Sequence, residues 1–179
     1  MSMLWIDVET TDLDPDTSDL LEVGLVHTDR HLSIKGEIHV SLLHLNLAMD
    51  PTVRSIHTEN GLIDECKASL LTVDRAEDLL LSWLSHHVDC STSLVLSDNV
   101  EFDLSVIAEK MPRLRSSFSH RHIDVSHIRR LARLWYGYDP RARLEEKKHR
   151  TSHCIRLMID ELDEYRSVLF RTPVTESGE

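Results

Sequence analysis

Cysteine, glycine and proline are scarce in this chain. Its 179 residues include three cysteines, five glycines and five prolines. Cys66, Cys90 and Cys154 are odd in number and show no CxxC spacing. That excludes a disulfide framework and a structural zinc site; each is expected to be a small buried or half-buried hydrophobe. No Pro/Gly-rich linker, internal repeat or low-complexity block divides the chain, so residues 1–172 are read as one domain, with a polar, disordered tail over 173–179. No run approaches the roughly 18 apolar residues of a membrane span. The N-terminus lacks a basic-then-apolar signal pattern, so a cytoplasmic protein is expected. Positive charge is also in deficit: 20 Lys and Arg against 31 Asp and Glu give a net charge of −11 with His neutral. Long nucleic acids are held by many cationic contacts to phosphate. The balance therefore disfavours a long nucleic acid as partner but not a short one, or one held locally through metal ions.

A hydrophobic content of 41% with 28% charged residues is ordinary for a globular domain. Residues 3–9 read as a first strand. Leu20–Thr28 and Ser33–Leu42 read as a second and third, joined in an antiparallel hairpin by Asp29-Arg30-His31. Short helical pieces fall between Asp50 and Gly61. Thr72–His87 carries a helical stripe of Val73, Ala76, Leu79, Leu80, Trp83 and Leu84. Ser93–Leu96 reads as a buried strand, Leu104–Lys110 as a helix stopped by Pro112, and Arg121–Val125 as a fifth strand. Ser126–Tyr136 reads as a helix with Ile128, Leu131, Ala132 and Trp135 on one side. A last helix over Ser152–Phe170 turns Ile155, Met158, Ile159, Leu162 and Leu169 to a core. Three strands joined by turns, then strands alternating with helices, predict an α/β fold with a mixed sheet.

Three stretches carry chemistry. In Met3-Leu4-Trp5-Ile6-Asp7-Val8-Glu9 the strand period points Asp7 and Glu9 to one face and Val8 to the other. Two like charges there raise each other's pKa unless a cation sits between them. The plainer alternative is a solvated acid beyond the strand end. In Ser97-Asp98-Asn99-Val100-Glu101-Phe102-Asp103 an apolar Phe102 precedes an acid in a helix's first turn, where the dipole favours it. The plainer alternative is a cap, and Asp98 fits that role as well. In Lys148-His149-Arg150-Thr151-Ser152-His153-Cys154, Thr151 or Ser152 suits a cap, which leaves His149 on the loop. A His beside a divalent ion can accept the proton of an attacking water; alone it reads as a surface residue.

In this order and spacing the segments LWIDVETTDLDP, VRSIHTENGL, SDNVEFD, RHIDVSHIRRLARLW and that around His149 resemble the DEDDh 3′-to-5′ exonuclease superfamily, and more narrowly its oligoribonuclease branch, over roughly residues 3–170. The resemblance implies a ribonuclease-H-like fold: a five-stranded mixed sheet, its first three strands antiparallel, flanked by helices. It implies hydrolysis of short single-stranded RNA, down to dinucleotides, into nucleoside 5′-monophosphates with two divalent ions, Mg²⁺ or Mn²⁺. Asp7, Glu9 and Asp103 match metal carboxylates and His149 the general base. Leu13 matches a wedge between terminal bases and His57 a substrate contact. Arg121 and Ser126 match a cap that a partner subunit lays on the 5′ phosphate, which implies a homodimer; His120 stands where the cap has Tyr.

One departure bears on activity. The fourth family carboxylate is Cys154 here, beside His153, and Asp160 lies roughly 9 Å further along the helix at 1.5 Å per residue. Three readings stay open. Cys154 or His153 is an unorthodox ligand; or three carboxylates support reduced, Mn²⁺-preferring activity; or catalysis is lost and a nucleotide-binding dimer remains. A 3′-to-5′ DNA exonuclease or proofreading-type module is a further alternative, because recognition of a 2′-OH depends on geometry.

Overall fold

The computed structural model describes residues 2–89, 93–144 and 148–170, apart from the side chains of 142 and 143; Cys90 and the expected tail over 173–179 lie outside them. Five strands make one sheet: β1 (Met3–Thr10), β2 (Leu20–Thr28), β3 (Ile34–Ser41), β4 (Leu94–Ser97) and β5 (His122–Asp124). Their order is β3-β2-β1-β4-β5. β1 pairs antiparallel with β2, and β2 with β3. β4 joins the other edge of β1 in parallel, and β5 joins β4 in parallel. This is the mixed α/β sheet expected, with the antiparallel strands first.

Seven α-helices are described: α1 (Pro51–Glu59), α2 (Leu62–Ala68), α3 (Val73–His87), α4 (Val100–Lys110), α5 (Pro112–Ser117), α6 (Val125–Tyr136) and α7 (Thr151–Val168). The alternation along β1 divides them. Leu4, Ile6 and Val8 pack with Ala76, Leu80 and Leu84 of α3 and Leu104 and Ile107 of α4. Trp5 points the other way, into a cluster with Val26, Leu96 and Ile155, Met158 and Ile159 of α7. Trp5 is fully buried and its indole N–H donates to Thr28 Oγ1 at 2.9 Å. A buried Trp of this kind typically carries about 3–5 kcal/mol. Asp7 and Glu9 share the parity of Trp5, so they face α7. None of the described helices is long and apolar enough to cross a membrane.

Several boundaries differ from the sequence reading for physical reasons. α4 opens at Val100, four residues before the expected Leu104, because Val100 N–H donates to Asp124 Oδ2 on β5 at 3.2 Å. A cap supplied from 24 residues away leaves no local signature. α2 follows Gly61, whose φ of +80° turns the chain between two short helices. β5 has three residues where five were expected. In α6, Ala132 is buried but Leu131, Leu134, Trp135 and Tyr136 are exposed, so Leu131 and Trp135 face away from this chain's core.

Candidate active site

β1 and β4 run parallel, so their C-terminal ends meet at one edge of the sheet, where ligands of α/β sheets collect. Asp7 and Glu9 sit there on β1, both buried. The chain leaves β4 at Ser97, turns through Asp98 and Asn99 and enters α4, whose first turn places the buried Asp103 at the same edge. Ser97 Oγ donates to Asp103 Oδ2 and fixes that carboxylate. Asp98 is not the cap of α4: Asn99 holds that position without a side-chain bond, and Asp98 Oδ1 accepts from Arg129 Nη2 at 2.5 Å.

A cavity of about 310 Å³ opens over these groups, lined by Asp7, Glu9 and Asp103 together with Leu13, His57 and His149. Six residues singled out in the sequence thus converge on one space. Among the described residues the lining includes five acids and two histidines and no lysine or arginine. His57 is buried, with Nε2 3.3 Å from the Thr10 carbonyl and 3.9 Å from Glu9 Oε2. Burial pushes its imidazole below the ordinary range against the pull of the Thr10 carbonyl. The same burial favours the neutral imidazole. Leu13 is 81% exposed at the rim.

His149 is half-buried and has a left-handed backbone, φ +50°. Non-glycine residues held there are uncommon and need support from their surroundings. Asn60 supplies it, its Nδ2 donating to His149 O at 2.6 Å and to Lys148 O at 3.0 Å. The next residue, Arg150, is anchored: Nη2 donates to Glu22 Oε1 at 2.8 Å and Nη1 to Glu65 Oε1 at 2.9 Å. Glu22 and Glu65 together hold the guanidinium pKa above its ordinary value. Glu22 also caps α7, accepting from Thr151 N–H at 2.8 Å. The cap is therefore an acid of β2, and Arg150, not Thr151 or Ser152, is the N-cap residue. Gly24 permits this approach of β2 to α7, since a Cβ there would stand 2.6 Å from Thr151 Cβ and 2.7 Å from His39 Nδ1. Glu22, Asn60 and Arg150 escaped the sequence reading. The signal available was a glutamate inside the otherwise apolar run LLEVGLV.

Cys154, one turn into α7, is 1% exposed, and its Sγ lies 3.8 Å from Glu9 Oε1. One ligand atom each of Asp7, Glu9 and Cys154 falls within 4.8 Å of the others. Asp103 lines the same cavity but stands outside this tight trio; the half-buried His153 belongs to neither, and Asp160 is exposed. Buried carboxylates this close repel one another unless protons or a cation compensate. The donor set of Asp7, Glu9 and Cys154, with Asp103 nearby, fits a divalent cation.

The remaining residues lie elsewhere in this chain. His120 and Arg121 are exposed, and neither lines the carboxylate cavity. Ser126, whose N–H donates to Asp124 Oδ1 at 2.8 Å, lines a separate cavity of about 790 Å³ with Arg115, His122 and Arg130.

Comparison with known proteins identifies the family. The profile of the RNase T family, described as an exonuclease, matches residues 4–159. An oligoribonuclease of Nitrosomonas europaea is 36% identical, covering 94% of this chain and 96% of that protein. Those of Coxiella burnetii, 33% identical over 94% of each, and Corynebacterium diphtheriae, 35% identical over 99% of this chain and 88% of that one, are also similar. Among solved structures, the zinc-bound complex of E. coli exonuclease I with single-stranded DNA superposes with a TM-score of 0.77 at 13% identity, covering 94% of this chain and 41% of that one. The likeness to exonuclease I shows the fold, and this chain spans less than half of that protein's length.

Proposed function

The chain belongs to the RNase T exonuclease family, with oligoribonucleases as its relatives, and from that premise we propose that it is a metal-dependent 3′-to-5′ exoribonuclease acting on short single-stranded RNA, dinucleotides included. The supporting observation is the cavity that gathers Asp7, Glu9, Asp103, His57 and His149 and holds five acids with no lysine or arginine among its described lining residues. A phosphodiester entering such a space meets like charge, so cations must accompany it. That requirement also suits a short substrate and the chain's net charge of −11.

Asp7, Glu9 and Asp103 would hold two divalent ions, their oxygens suiting Mg²⁺ or Mn²⁺. Bound ions of this kind stabilise charge on the attacking and leaving oxygens and lower the pKa of water. The chain does the rest. His149 accepts the proton of the attacking water at an imidazole nitrogen, and Asn60 keeps that residue at the cavity. Leu13, exposed at the rim, packs against the terminal bases. His57, whose burial favours the neutral imidazole, contacts the substrate. Arg121 and Ser126 of the partner subunit, with its His120, cap the 5′ phosphate of a dinucleotide in a homodimer. The exposed apolar strip of α6, with Leu131, Leu134, Trp135 and Tyr136, supports a covered face there. Release of nucleoside 5′-monophosphates would be a last step of RNA degradation, and the cytoplasm is the compartment proposed for it.

The test compares labelled RNA dinucleotide, longer RNA and DNA dinucleotide with Mg²⁺ or Mn²⁺, using the wild type and Asp7→Ala. RNA dinucleotide should be hydrolysed fastest and Asp7→Ala should abolish the reaction. Activity unaffected by Asp7→Ala overturns the site, a preference for longer RNA overturns the dinucleotide reading, and a preference for DNA favours the DNA exonuclease. Tight nucleotide binding without hydrolysis overturns the enzyme.

A further inference from the structure

Resting on the metal centre of that reading, we propose that the ion position bounded by Asp7, Glu9 and Cys154 is a mixed carboxylate–thiolate site that takes thiophilic divalent ions of the Zn²⁺ class ahead of Mg²⁺. The three groups come from two elements, β1 and the first turn of α7, and their ligand atoms fall within 4.8 Å of one another. Cys154 reaches the trio because α7 packs on the face of β1 that carries Trp5, Asp7 and Glu9.

The spacing is compatible with a thiolate-bound ion. Six oxygens at about 2.0–2.1 Å around Mg²⁺ put neighbouring ligand atoms about 2.9 Å apart. A tetrahedral ion with sulfur at about 2.3 Å and oxygen at about 2.0–2.2 Å separates S from O by about 3.5 Å. Cys154 Sγ and Glu9 Oε1, a thiol–carboxylate hydrogen-bonded pair at 3.8 Å without an ion, need close only slightly to reach that second spacing. Ligand chemistry points the same way, since thiolates select soft and borderline ions and serve Mg²⁺ poorly. Cys66 supplies the contrast. It is equally buried, but it sits with Leu21 and Leu62 and its Sγ donates to the Leu21 carbonyl at 3.5 Å. Asp103 lies outside the trio.

Co²⁺ is the probe, because a coordinated thiolate gives it a near-ultraviolet charge-transfer band. The measurement uses the full chain with Cys66→Ala and Cys90→Ala, so that Cys154 is the sole thiol. Co²⁺ should produce the band, Zn²⁺ should remove it at concentrations where a large excess of Mg²⁺ does not, and Asp7→Asn should weaken it. Adding Cys154→Asp should abolish the band and lower the preference for Zn²⁺ over Mg²⁺ in calorimetric titration on the order of tenfold or more. Circular dichroism checks that each variant folds, and the spectrum with Cys154 in place decides even where a variant does not. Co²⁺ bound without the band overturns the inference and leaves the metal centre standing. Failure of the protein to bind any divalent ion overturns the metal centre itself.

Discussion

Glu9 and Glu22 face each other across the β1–β2 ladder, both buried and both turned toward α7, yet they do opposite things. Glu22 is neutralised within the chain: Arg150 donates to it, and so does the first N–H of α7. Glu9 looks into a cavity whose described lining holds further acids and no lysine or arginine, with the Cys154 thiol 3.8 Å away. Burial of a carboxylate therefore does not mark a catalytic group. The groups around each charge separate the two acids. The Glu22 region is an anchor that the fold completes for itself, whereas under the proposed function the Glu9 region would take a cation.

Substituting the two acids separately tests this contrast with the largest effects. Glu22→Ala leaves a guanidinium with a lost partner and an uncapped helix, and should cost about 3–5 kcal/mol in urea unfolding. Glu9→Gln should leave stability unchanged or raised, because it relieves repulsion, while turnover on short RNA falls about 10²–10³-fold, the scale expected for losing one charge-stabilising group. Divalent ions should sharpen the difference. At a hundred times Kd they should stabilise the wild type by about 2.7 kcal/mol, and Glu9→Gln should forfeit most of that gain. Equal destabilisation by the two substitutions would break the comparison.

A smaller effect joins the two regions. Asn60 stands between the anchor and the cavity, its carbonyl accepting from Arg150 Nη1 at 3.3 Å and its amide holding the His149 carbonyl. Asn60→Ala should lower kcat about ten- to hundredfold, as displacement of a reacting group does, with KM little changed. Asn60→Asp, which keeps the shape but loses the amide donor, should behave like the alanine variant. A rise in KM with kcat intact would instead place Asn60 in substrate binding.

The contrast also shows where sequence runs out. Asp7 and Glu9 were legible because strand parity is local: two residues apart means one face. Asp103 was legible as an acid in a helix's first turn, although α4 begins earlier than its apolar stripe suggests. The anchor was not legible. Glu22 and Thr151 are 129 residues apart, and nothing near either one announces that a strand acid caps a distant helix. Cys154 was singled out by counting along the chain, but only the packing of α7 on β1 shows its sulfur turned to Glu9. Local periodicity predicts which face a residue takes; partners supplied across the sheet remain invisible until the chain is folded.

The smallest expected effect concerns the edge of the anchor and reads in pH. His39 Nδ1 lies 3.0 Å from Thr151 Oγ1, and its Nε2 lies 3.7 Å from Glu37 Oε2. Burial lowers its pKa below the ordinary 6.5; Glu22 and Glu37 oppose that shift and Arg156 adds to it. Between the lowered value and 6.5 the unfolded chain binds the proton more readily than the folded one. Stability therefore rises with pH through that window, is complete above it, and is progressively lost as pH falls below 6.5. His39→Gln should flatten the slope there, measured as the difference in unfolding free energy between wild type and variant from pH 5 to pH 8. The other histidines held low by burial, His27 and His57, contribute slopes of the same sign that cancel in this difference. A curve displaced by the same amount at every pH would mean that His39 serves the β2–α7 junction through shape alone.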